Sequence, residues 1–511
     1  MEINYDPLIF GKSQKKSIVG IEINDSEAEL FIQKEDGSID NEKVANRFWL
    51  LSNDKLDNNF IRLKGDLHYK WGRQFENWKS YSQARGYYKD RVWGIWDKKE
   101  ALMVKDGYTF YKGMQINEVS VLAFDIETTG TKITSDTQVL IIANTFRDSK
   151  GTITRKMFCY DEYESTKEFI DAWTSWVRKV NPSVIIGHNI YNFDIPMLYH
   201  IAKSNKTSLY LGRDGSEIEF GMRESRFRKD GSQTIGYRKV KCYGVQIIDT
   251  MFLSIKYDIG RKYESYGLKA IIKHEGLEKE NRQFYDASQI KHNYRIPTEW
   301  ELIKKYAEED GDDALALYDL MMPPFFYMAN SIPKTPQLIV ESASGSQINA
   351  MLIRSYLQNA HSIPVSDETS NYVGAISLGI PGVYKNCFKQ DVSSLYPSII
   401  IQYEIYDKLK DPNKSFLNLV DYFTNYRLTN KKLAKETGNL YYSHLDQSGK
   451  ILVNSMYGML AAPGLQFNSP GNAAKITLKG REILSKAIEF ATSRNLKYWE
   501  SKADPEEELN E

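Results

Sequence analysis

Three apolar runs constrain this chain more than any other feature. Val119-Ser120-Val121-Leu122-Ala123-Phe124 and Gln138-Val139-Leu140-Ile141-Ile142-Ala143 read as buried strands, Glu164 to Val180 as a helix, and Pro182-Ser183-Val184-Ile185-Ile186-Gly187 as a third strand. That alternation predicts an α/β domain on a central sheet. It runs to about Pro333, where Pro323-Pro324 and Ile332-Pro333-Lys334 mark a junction. Before it, residues 1 to about 118 are mixed, with Ser17 to Ile23 and Glu29 to Ile32 alternating as paired strands. Between Trp71 and Trp96 aromatic and basic residues interleave; an amphipathic helix under a small sheet is preferred there to a base-stacking surface. Beyond the junction come a helix-rich segment, a strand-like Gly382-Val383-Tyr384, and helices from about Ser415 to Glu436, Leu445 to Leu460 and Lys479 to Ser493. Ser501 to Glu511 reads as an acidic, solvated tail.

With 511 residues, several domains are expected, and 67 basic against 67 acidic side chains excludes a protein that coats nucleic acid non-specifically. Any polyanion-binding surface must be local. Arg223 to Lys241 is such a place: Arg223, Arg226, Arg228, Lys229, Arg238, Lys239 and Lys241 stand against Glu224 and Asp230, with Asp230-Gly231 as a hairpin tip. Cys159, Cys242 and Cys387 form no C-x-x-C pair and read as reduced core thiols of an intracellular protein. No run approaches the ~18 apolar residues of a membrane span, so no membrane partner is expected.

The chemistry lies in spaced acids. In Phe124-Asp125-Ile126-Glu127, period two puts both carboxylates on one side of a strand, which suits two hard cations sharing oxygen ligands. Gly187-His188-Asn189-Ile190-Tyr191-Asn192-Phe193-Asp194 delivers an acid just past a buried strand. Tyr306 and Asp310, four apart on a helix, share a face; Asp313 lies on it too, and spacing does not choose between the two acids. Asp249 is taken as a structural strand-end residue. A second constellation begins at Asp391-Val392-Ser393-Ser394-Leu395-Tyr396-Pro397-Ser398, where an acid ends a strand before a tight turn that can hold a metal and a phosphate chain. Lys450, Asn454 and Tyr457 then fall on one helical stripe, with Gly458 allowing close approach.

The first set resembles the proofreading 3′–5′ exonuclease motifs of family B DNA polymerases, Asp-Ile-Glu-Thr, Asn-x3-Phe-Asp and Tyr-x3-Asp. The second resembles the family's Asp-x2-Ser-Leu-Tyr-Pro-Ser and Lys-x3-Asn-Ser-x-Tyr-Gly signatures. Tyr372-Val373-Gly374-Ala375 is similar to the linker between the two modules, and the basic ribbon to a hairpin in members from T-even-like tailed phages. The resemblance implies a ribonuclease H-like α/β exonuclease over 119–335 after a mixed α+β amino-terminal domain over 1–118. A partial palm over 336–414 and 460–500, helical fingers over 415–459 and the tail over 501–511 would follow. It further implies two Mg²⁺ per site, with Mn²⁺ as a substitute. Asp125, Glu127, Asp194 and Asp310 would hold the exonuclease ions, and Tyr306 would align water. Asp391 and the Val392 carbonyl would bind polymerase metal, and the Ser394 and Leu395 amides would take the triphosphate. Tyr396 would lie under the sugar, Lys450, Asn454, Tyr457, Arg427 and Lys431 would grip the nucleotide, and Arg226, Arg228 and Lys229 would touch DNA.

One departure stands out. The family's Asp-Thr-Asp hairpin and helical thumb are not found after Tyr457. The expectation is therefore an amino-terminal subunit of a split (or truncated) phage replicative polymerase, acting in the cytoplasm of an infected bacterial host. Its partners would be primer–template DNA, dNTP, a second chain bearing the missing motif and thumb, and a sliding clamp. The alternatives are a stand-alone single-strand 3′–5′ exonuclease with a vestigial palm, and a non-catalytic DNA-binding assembly subunit.

Overall fold

The computed structural model describes residues 6–134, 136–229, 233–369, 371–392 and 394–503. The apolar runs become a five-stranded sheet in the order Ile153–Cys159, Val139–Arg147, Val121–Thr128, Val184–Gly187, Gln246–Asp249. The first three strands pair antiparallel, since the ten residues between Thr128 and Val139 are too few for a crossover, and the last two join in parallel. The helix Thr166–Val180 covers one face through Phe169, Ile170, Trp173 and Val177. There Trp173 donates its indole N–H to Asn144 at 3.0 Å and leans on Phe124 at 5.5 Å. Period two sends Asp125 and Glu127 to the opposite face, against the 25-residue helix Pro297–Met321.

In the amino-terminal part, Ile18–Asn24, Glu27–Gln33 and Ile39–Ala45 form an antiparallel sheet, and Phe48–Ser52 anchors a second, four-stranded one. The interleaved aromatic stretch supplies the strand Trp71–Phe75 and the helix Trp78–Tyr88, whose Trp78 and Tyr81 rings lie 5.2 and 5.5 Å from Phe48. The helix-under-sheet reading holds.

Several sequence readings need correction. Pro323-Pro324 is not in a linker: both prolines open the helix Pro323–Ala329, every residue of which is buried, within one apolar core running from Ile9 to Ile476. Proline suits a first helical turn, where its missing N–H is not needed. The helix expected at Leu445 begins at Leu440, because Gly438, at φ +65°, closes Ser415–Thr437 and Asn439 caps Leu440–Ala461 by accepting the Tyr441 N–H. Similarly, the helix expected from Lys479 starts at Pro470. Gly382-Val383-Tyr384 forms no strand, nor does Asp391 end one. The described residues of 371–392 make no backbone–backbone hydrogen bonds and are nearly all exposed, Val383 almost completely, and none of them pairs with a strand among the described residues. Cys387 lies in this stretch and is exposed, unlike the buried Cys159 and Cys242. Of the acidic tail, Ser501–Ala503 ends the helix Leu496–Ala503 and the remainder lies outside the described residues. Among the described residues no helix is long and apolar enough to cross a membrane.

Candidate metal centre

The sheet and the long helix bring three acids to one point. Asp125 and Glu127 from the strand Val121–Thr128 and Asp310 from Pro297–Met321 each offer an oxygen, all within 4.8 Å of one another. Among the described residues no other group of three such ligands meets. Asp194, the first residue of Asp194–Ser204, stands outside that tight group; it is buried, and its Oδ1 has no hydrogen-bond partner. Gly187 lets its strand approach: a Cβ there would sit 2.7 Å from the Phe124 carbonyl and 2.2 Å from Ile190 Cγ2. Asp249 caps Thr250–Tyr257, accepting the amides of Met251, Asn189 and Tyr191 at 2.9, 2.9 and 3.3 Å, the structural role read from sequence.

Acids packed this closely resist ionisation. Burial, then Asp194, Asp310 and Glu127, push the Asp125 carboxyl well above its usual range. Burial and then Asp310 raise Glu127 to about 8, and burial likewise raises Asp194 to about 8. Clustered hard oxygens that repel one another, with one buried oxygen lacking any donor, fit divalent cations. Tyr306 is buried beside them, and its phenol is raised by burial and then by Asp310, Glu127 and Asp125, so it stays protonated.

Two cations missed in the sequence reading complete the cleft. Lys269, from Leu268–His274, hydrogen-bonds to the Tyr306 phenol oxygen and stands 3.6 Å from Asp310. Arg282, whose side chain is 2% exposed, contacts Asp310 at 2.5 Å and Asp313 at 2.6 Å. Arg282 pairs with both acids, but among the described residues only Asp310 also meets Asp125 and Glu127. No periodicity links Lys269 or Arg282 to the acids, so only tertiary contact reveals them.

The basic ribbon forms as Ser225–Arg228 paired with Thr234–Tyr237, and its expected tip at Asp230-Gly231 lies outside the described residues. Arg226, Arg228 and Lys229 are exposed, and Lys229 stands 5.6 Å over the Tyr266 ring. The inner residues Phe227 and Tyr237 pack on Phe252 at 4.0 and 5.0 Å.

A second cleft, about 370 Å³, is lined by Ser394, Leu395, Tyr396, Asn454, Gly480 and Arg481 among others. Ser394, at φ +54°, opens the helix Leu395–Gln402, and Arg427 donates to its hydroxyl at 2.7 Å. The Tyr457 ring is 4.8 Å from Tyr396, and its hydroxyl 3.0 Å from that of Tyr372. Lys431 and Lys450 are exposed and do not line the cleft. Asp391 and Val392 are exposed, and Asp391 belongs to no cluster of three acids among the described residues.

Residues 100–271 match the family described as DNA polymerase family B, exonuclease domain. DNA polymerase II of Escherichia coli (strain K12) is 25% identical over 364 residues, covering 63% of this chain and 42% of that protein. The DNA polymerase delta catalytic subunit of Schizosaccharomyces pombe is 25% identical over 445 residues, covering 73% of this chain and 40% of that one. The chain thus spans less than half the length of these relatives. Its fold is that of the family B DNA polymerase from the archaeon Pyrobaculum calidifontis, with a TM-score of 0.72 at 16% identity over 93% of this chain and 72% of that one. The matched segment starts earlier than the boundary expected at Val119, taking in most of the helix Lys98–Asp106.

Proposed function

We propose that the chain carries an exonuclease domain of the family B DNA polymerase type, the family that residues 100–271 match, and that its acidic cleft removes nucleotides from DNA 3′ ends. The observation that carries this reading is the convergence of Asp125, Glu127 and Asp310, with the unpartnered oxygen of Asp194 beside them. All four acids would hold the ions, Mg²⁺ or Mn²⁺, two per site. Divalent cations bound there supply Lewis acidity and a more acidic water. The Tyr306 phenol, accepting from Lys269, keeps its own proton to orient the attacking water. No nucleophilic side chain is needed. The test is digestion of a 3′-labelled single strand by the full chain with Mg²⁺: Asp125→Ala with Glu127→Ala should abolish it, and unchanged digestion rejects the assignment.

The second cleft is read as the nucleotide-gripping part of a polymerase site. Ser394 and Leu395 would take phosphates through their amides, and Tyr396 would lie under the sugar. Asn454, Tyr457, Arg427, Lys431 and Lys450 would surround the nucleotide, with Asp391 and the Val392 carbonyl as metal ligands. The size of the cleft and the Tyr372–Tyr457–Tyr396 cluster favour this reading. Among the described residues Asp391 has no acid partners of the kind such chemistry needs, and the proposal is that an Asp-Thr-Asp hairpin and thumb on a second chain complete the site for nucleotide addition. On this reading the chain divides into 1–118, an exonuclease domain over 119–335, a partial palm over 336–414 and 460–500, fingers over 415–459 and a tail over 501–511. Primer extension should be absent with this chain alone, appear when such a chain is added, and vanish with Asp391→Asn; extension by the lone chain rejects the split arrangement.

A further inference from the structure

One buried carboxylate outside the matched exonuclease segment ties two of its parts together. Glu341 ends the helix Pro336–Glu341, and its side chain is 2% exposed. Its Oε1 lies 2.7 Å from the Tyr191 phenol and accepts from Gln337 Nε2 at 2.9 Å; its Oε2 accepts from the Tyr237 phenol at 3.1 Å and stands 3.5 Å from Lys239 Nζ. These partners come from different places. Tyr191 sits in the turn that delivers Asp194, and its amide is held by Asp249. Tyr237 ends the returning strand of the basic ribbon, opposite Ser225, and Lys239 follows it. The two phenol rings also touch, 5.3 Å apart.

We propose that Glu341 is a positioning residue that fixes the root of the basic ribbon against the Asp194 turn, and so sets how well paired 3′ ends are cleaved relative to single strands. The inference rests on the proposed reading of cleft and ribbon. Removing the carboxylate takes from the Tyr237 phenol this acceptor and from Lys239 its counter-charge, while Tyr191 keeps the Ile247 carbonyl at 2.7 Å, so the loss is concentrated at the ribbon's root. Tyr237 pairs directly with Ser225, so a shift there carries Arg226 and Arg228 with it. Among the described residues no hydrogen bond or ion pair joins Glu341 to Asp125, Glu127 or Asp310, whose mutual geometry the change should leave in place. A single strand entering the cleft does not need the ribbon, whereas a paired end must be opened beside it.

The test uses the full chain with Glu341→Ala and Glu341→Gln, 3′-labelled single-stranded and primer–template substrates with Mg²⁺, and amide hydrogen exchange over residues 225–239. Glu341→Ala should lower the ratio of paired to single-strand cleavage about tenfold, the scale of one hydrogen bond to a charged group. Glu341→Gln, which keeps a carbonyl acceptor, should recover most of the ratio. Exchange should quicken in the ribbon while the sheet strands Val121–Thr128 and Val139–Arg147 stay protected. An unchanged ratio, or equal losses on both substrates with exchange rising throughout the sheet, overturns the proposal. If the unaltered chain cleaves neither substrate, the cleft reading has failed; exchange then decides alone, selective loss in the ribbon supporting the role of Glu341 and unchanged protection rejecting it.

Discussion

Replacing Arg282 by methionine probes the electrostatic design of the acidic helix. The guanidinium is almost wholly buried between Asp310 and Asp313, 2.5 and 2.6 Å away. After Arg282→Met, Asp310 keeps Lys269 at 3.6 Å, but Asp313 loses its only close cation among the described residues. One uncompensated buried carboxylate costs about 3–5 kcal/mol. At ~2–4 °C per kcal/mol for a large cooperative unit, the melting temperature should fall by on the order of 10 °C. The pH dependence gives a sharper signature. Burial, opposed by Arg282, already holds the Asp313 carboxyl up to about 6. A folded-state value above the unfolded one means that stability is lost as pH rises through the interval between them. Without Arg282 that interval widens upward, so the gap between variant and parent should be small near pH 4 and full near pH 8. Thermal melts in chelator at both pH values measure this, with the double variant Arg282→Met, Asp313→Asn as the cycle partner. A shift below about 2 °C, a gap equal at both pH values, or no relief from Asp313→Asn would refute the reasoning.

Other outcomes follow from the same contacts. Gly187→Ala should destabilise the sheet and slow cleavage at least tenfold, because its methyl would strike the Phe124 carbonyl beside Asp125; a fully active, equally stable variant would show that the strand can shift freely. Trp173→Ala should cost about 3–5 kcal/mol in chemical denaturation by emptying the space against Phe124 and orphaning Asn144, and a cost below 1 kcal/mol would contradict that packing. Asp310→Asn should lower cleavage by more than a hundredfold, whereas Asp313→Asn stays within about fivefold; equal losses would return Asp313 to the ligand set.

Much of this architecture is legible in the chain because it is local. Period two along Phe124–Glu127 places both acids on one face without any knowledge of the sheet, and a buried strand ending at Gly187 implies the turn that carries Asp194. The ribbon is legible from charge and a turn dipeptide. What escapes is long-range: Lys269 and Arg282 approach Asp310 from segments 41 and 28 residues away, and only packing shows that Asp310 rather than Asp313 meets Asp125 and Glu127. The strand expected at Gly382 fails for a related reason. Strand propensity is realised only against a neighbour, and this segment has none among the described residues. Pro323-Pro324 misleads because proline punctuates the first turn of a buried helix as readily as a linker.

The open run from Tyr372 to Val392 also bears on how the protein behaves in the tube. Val373, Val383, Phe388 and Val392 are displayed on backbone that no neighbouring strand engages, which is the template that stray chains add to in aggregation. Preparations of the lone polypeptide should therefore cluster as concentration rises, seen as growing light-scattering mass. Lysines set among those four apolar side chains should keep it monodisperse.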